Sequence, residues 1–91
     1  MGRVYWLVFL FRNRDALARA VNGIGERFGI GPRYYVQGSG EVGAIYVTEN
    51  YVLAAELYDY VRSAYYLELS DLVFMELYRA EPPWEGKAWE A

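Results

Sequence analysis

The chain has 91 residues, 55% of them hydrophobic and 19% aromatic, with nine basic and twelve acidic side chains and a net charge of −3. That is one domain with too much apolar surface for intrinsic disorder, and its acidic balance weighs against nucleic acid as a partner, because phosphate neutralisation supplies most of that affinity. The absence of His and Cys removes disulfides, thiolate chemistry, the commonest general base and the commonest metal ligand.

Residues 3–11 read as a first strand, aromatic and β-branched throughout. The apolar run from Val4 to Phe11 falls well short of the roughly 20 residues of a membrane-crossing helix. Arg12-Asn13-Arg14-Asp15 follows it, where a signal peptide would carry small residues for cleavage. The expectation is an unprocessed cytoplasmic protein with no membrane contact. Eight of the basic residues are Arg, and Asn, Gln and Met are scarce, which suits a thermophile.

Asn13 then reads as a helix N-cap, with Asp15 in the first turn where the helix dipole favours an anion. Leu17, Ala20, Val21, Ile24 and Phe28 recur at helical spacing. Gly29 is placed to end that helix in the left-handed conformation, and Pro32 forbids its continuation. Arg33 to Gln37 is a short second strand, Gly38-Ser39-Gly40 a turn, and residues 41–48 a third strand, together a hairpin. Asn50 can cap a second helix over residues 51–66, with Leu53, Leu57, Val61 and Ala64 on one stripe and Tyr51, Tyr58, Tyr65 and Tyr66 widening it. Ser70 and Asp71 break the pattern, and Leu72 to Ala80 is the last strand. Pro82-Pro83 stops it, and Trp84 to Ala91 shows no useful period. Residues 1–80 are thus expected to form the domain and residues 81–91 a Pro- and Trp-containing tail.

The order β-α-β-β-α-β, with right-handed crossovers, points to an α+β ferredoxin-like sandwich. It would hold a four-stranded antiparallel sheet in the order 4-1-3-2 with both helices on one face. The first and third strands become the central pair. They are also the two strands that are apolar on both sides, Val4 to Phe11 and Val42 to Val47, so both faces of the sheet should be covered. The expectation is that Tyr5, Phe9, Tyr46, Phe74 and Tyr78 share the helix-free face, with Glu76 between Phe74 and Tyr78. Burying each such ring is worth about 1.5–3 kcal/mol before entropic costs. A homodimer through that face would cover it, or the tail could fold across it through Trp84 and Trp89. If a larger assembly forms, the free edge of the second strand, Arg33 to Gln37, is the expected site of strand addition.

The letters of Gly38-Ser39-Gly40-Glu41-Val42-Gly43 match a dinucleotide fingerprint, but a strand follows where the fingerprint needs a helix. A hairpin turn is the reading. No sequence motif points to a catalytic residue, a cofactor or a metal. Glu49, Glu56 and Asp59 fit no known cation loop. The leading functional expectation is a non-enzymatic homodimeric module that senses a small ligand at the subunit boundary or binds another protein. Its layout resembles that of stand-alone ferredoxin-like domains of amino-acid-responsive regulators, in element order and the Gly-containing hairpin only. A second possibility is a small enzyme of the dimeric α/β-barrel type, with Glu76, Tyr46 and Arg33 as its groups. A third is single-stranded nucleic acid stacking on Tyr5 and Tyr46, with Arg3, Arg33 and Arg79 at strand ends.

Overall fold

A computed structural model describes residues 3–65, 71–84 and 86–91, and the side chain of Tyr65 is outside that description. The chain runs β1 (Tyr5–Phe11), α1 (Arg14–Phe28), β2 (Tyr34–Gln37), β3 (Val42–Thr48), α2 (Tyr51–Tyr65), β4 (Leu72–Tyr78) and β5 (Lys87–Glu90). The expected extension of α2 to Tyr66, the part of Tyr65 and Tyr66 in its apolar arc, and the break at Ser70 lie outside the described residues.

Local chemistry sets the helix ends. The Asn13 backbone is extended, and its side-chain oxygen accepts from the Ala16 N–H at 2.8 Å. At the other end Gly29 takes φ 70° and donates to the Gly25 carbonyl at 2.9 Å, a position where a Cβ would be strained. Asn50 caps α2 by accepting from the Leu53 N–H at 3.1 Å, while its own N–H donates to the Thr48 hydroxyl. Asp71 ties the start of β4 to the end of β1. Its carbonyl accepts from the Arg12 N–H at 2.8 Å, and its carboxylate accepts from the Asn13 amide at 3.1 Å.

The sheet is antiparallel, α+β in arrangement, with two helices and five strands in the order β4-β1-β3-β2-β5. The four expected strands keep the expected order, and the four-strand count is corrected by β5. The tail after Pro82-Pro83 does not stay irregular: it pairs with β2, Tyr35 opposite Trp89 and Gln37 opposite Lys87. The edge read as open to strand addition is therefore occupied by the chain's own C-terminal strand. All four β5 residues are exposed, so no hydrophobic alternation announces it. β4 carries a bulge, since Leu10 faces Phe74 and Phe11 faces Leu72, leaving Val73 over.

The faces are also corrected. Leu7, Phe9, Phe11, Ala44 and Tyr46 pack beneath the helices against Ala20, Ile24, Leu57 and Val61. Val8, Leu10, Val36 and Ile45 lie on the other side, with Trp6, Tyr34, Val47, Tyr78 and Trp84 around them. Tyr5, Phe9 and Tyr46 are thus on the helix side, not with Phe74, Glu76 and Tyr78. The reason is register. Phe9 pairs with Met75 and Ala44, and Leu7 with Tyr46, whereas Leu10 pairs with Phe74. A one-residue offset moves a whole set of side chains across the sheet.

Candidate functional site

The helix-free face is built from alternate residues of every strand: Trp6, Val8 and Leu10 of β1, Ile45 and Val47 of β3, Tyr34 and Val36 of β2, Phe74, Glu76 and Tyr78 of β4, and Ala88 and Glu90 of β5. Gly43 stands opposite Leu10 on this face. A Cβ there would overlap the Phe9 carbonyl oxygen and the Leu10 side chain, so the central strands can close only around glycine at this point.

Neither described helix covers this face. The segment after β4 does so in part, since it must travel from one edge of the sheet to the other to reach β2. Pro82, Pro83 and Trp84 lie over Val8, Leu10, Phe74 and Tyr78, leaving a cleft of about 160 Å³. The Trp84 indole N–H donates to the Lys87 carbonyl at 3.0 Å, which satisfies the one polar atom of a ring pressed on apolar side chains. Gly86 passes so close to β2 that a Cβ would overlap the Gln37 carbonyl. The Ala91 N–H donates to the Arg33 carbonyl at 3.1 Å. The two tail tryptophans thus part company: Trp84 sits on the helix-free face, and Trp89, opposite Tyr35, on the helix side.

The charged strand positions of the face are acidic, and the Arg33 guanidinium lies 5.4 Å over the Tyr34 ring at its β2 side. The strand positions include Glu76 and, on β5, Glu90, but no Arg or Lys. Partial burial is the main reason that the Tyr78 phenol is held above its usual range; the Glu76 charge and the hydrogen bond to Glu76 add to it. Tyr78 therefore keeps its proton and donates to the carboxylate.

Of the residues expected to form this surface, Phe74, Glu76 and Tyr78 are on it. Phe9 and Tyr46 are buried at 0% and 1% exposure and stack on each other with ring centroids 5.7 Å apart. Tyr5 meets Tyr51 at 5.3 Å near the start of α2. Trp6, Tyr34 and Val47 also stand on this face, and the sequence signal for them is weak, because β1 is aromatic in both phases. Glu76 and Tyr46 stand on opposite faces, so the three groups suggested for an enzyme do not converge. The stacking platform of Tyr5 and Tyr46 is likewise not on the open face. Among the described residues no group of three acidic side chains comes together in a way that could hold a metal ion. No described helix is long and apolar enough to cross a membrane.

No family model matches the chain, and neither a curated protein nor a solved structure matches it.

Proposed function

We propose that this protein is a non-enzymatic interaction module of the cytoplasm, a ferredoxin-like βαββαβ unit with an added strand, that forms a homodimer through its helix-free sheet face. One observation carries the reading. After the chain has laid its own tail across that face, Trp6, Tyr34, Val47 and Tyr78 remain only partly buried, and Phe74 is 37% exposed. A contiguous apolar surface of this kind on a small domain marks an interface. A second copy supplies what a domain of this size lacks, a second cover for its sheet.

The sign of the surface favours protein over nucleic acid. Glu76 lies between the two rings a base would stack on, and the Arg33 guanidinium is already stacked on Tyr34. In this reading a small ligand belongs at the subunit boundary, in the cleft between Trp84, Pro82 and the Phe74 and Tyr78 rings.

Light scattering after size exclusion, across a dilution series, should give twice the 10.5 kDa chain mass. Phe74→Glu should give the single-chain mass with an unchanged far-ultraviolet circular dichroism spectrum. A wild-type chain that is monomeric at every concentration overturns the reading.

A further inference from the structure

On the opposite side of the sheet, β5 creates a second feature. The added strand carries the sheet past the reach of α1, and a groove of about 280 Å³ opens between them. Ala18 and Val21 of α1 form one wall, Tyr35 and Val42 the floor, and the Trp89 ring the far wall. Trp89 is 47% exposed there, a large apolar side chain. Among the described residues, Arg14, on the first turn of α1, is the only charged group lining the groove. It makes no salt bridge among the described residues, and no carboxylate lines the groove to neutralise it.

An aromatic wall, an aliphatic wall and one unpaired guanidinium specify a ligand class. Apolar walls hold an apolar body, and the planar fork of Arg holds a carboxylate through two charge-assisted hydrogen bonds. The volume suits one ring with a short side chain. We propose that the groove between α1 and β5 is a binding site for a small arylalkyl carboxylate, with Trp89 packed on the ring and Arg14 on the carboxylate. A neutral molecule of the same shape leaves the guanidinium in water and loses the charge-assisted part of the affinity. The site stands on the face away from the proposed dimer interface, so neither proposal depends on the other.

The probe is 3-phenylpropionate, with 3-phenylpropan-1-ol as its neutral counterpart, titrated into the full chain and followed through the three tryptophan indole N–H resonances by NMR. The Trp89 resonance, assigned with Trp89→Phe, should shift saturably with the acid, and the Trp6 and Trp84 resonances should stay in place. The alcohol should bind about tenfold more weakly. Arg14→Gln should abolish that difference while leaving binding of the alcohol unchanged. Ala18→Phe, at an exposed helix position, should block both probes. Binding of the acid should also slow amide exchange in β5, because the ligand ties Trp89 to α1. The proposal is overturned if Trp89 shows no saturable shift up to about 10 mM acid, if the shifts fall on Trp84 or Trp6 instead, or if Arg14→Gln leaves the preference for the acid intact.

Discussion

The two faces of one sheet are covered in different ways. On the helix side, two helices of 15 residues each lay their apolar stripes on Leu7, Phe9, Phe11 and Tyr46. Each helix brings its own cap and satisfies most of its backbone hydrogen bonds within itself, so that cover asks little of the sheet beyond apolar contact. On the other side the chain after β4 covers Val8 and Leu10 through Trp84, and it is anchored by the four-residue pairing of β5 with β2 and by the Ala91–Arg33 and Trp84–Lys87 hydrogen bonds. Ordering such a stretch costs about 1–2 kcal/mol of backbone entropy per residue, and one partly buried indole, worth about 2 kcal/mol, offsets only a fraction of it. The lesson is that apolar burial alone does not make the two faces equivalent. The helix-covered face should open only with global unfolding, and the tail-covered face should open locally.

That contrast can be attacked from both sides. Phe9→Ala removes a fully buried ring from beneath the helices and should destabilise the fold by about 3–5 kcal/mol, measured by denaturant unfolding. A loss under about 1 kcal/mol would mean that the helix side is not the tight core. Trp84→Ala should cost less, about 2 kcal/mol, because the ring is only partly buried. Its signature is regional: hydrogen exchange should accelerate in β5 and β2 while α1 and β1 stay protected. Uniform loss of protection would erase the distinction between the faces. Gly86→Ala forces a methyl group against the Gln37 carbonyl and to within 3.0 Å of the Trp84 indole nitrogen, and should release β5 for about 1–2 kcal/mol, with the same regional exchange pattern.

Removing the α1 cap sharpens the helix side. Asn13→Ala leaves the Ala16 N–H without its acceptor and should cost about 1 kcal/mol, with exchange in β5 unaffected. The smallest effect expected is titration of Tyr78 on the tail-covered face. Its phenol is held above its usual range in the folded chain, so the native state keeps a proton that the unfolded chain releases near pH 10. The resulting stabilisation is complete below that pH and is lost as pH rises through the native value. Tyr78→Phe should flatten the decline of stability above about pH 10. An unchanged alkaline profile would show that Tyr78 is not in the environment described.

Much of this architecture was legible in the order of the residues. Asn13, Gly29 and Asn50 mark helix ends because capping is settled within three or four residues along the chain. The Gly-containing hairpin and the six expected elements follow from equally local spacing, and the handedness of crossovers then restricts the strand order. The candidate surface was read only in part. Phe74, Glu76 and Tyr78 were placed correctly because β4 has a polar residue to mark one phase. Tyr5, Phe9 and Tyr46 were misplaced because β1 is apolar in both phases, so its alternation carries no phase information.

Those six elements, their caps and the need for cover on both sides of the sheet were determined by sequence alone, through contacts between near neighbours in the chain. Tertiary structure alone decided which set of rings lies under the helices, that the tail crosses the sheet, and that Trp84 and Trp89 end on opposite faces. These outcomes depend on cross-strand register and on the pairing of β5 with β2, roughly fifty residues earlier in the chain. Ladder hydrogen bonds of that kind form between backbone groups that every residue carries, so they leave little trace in the pattern of side chains.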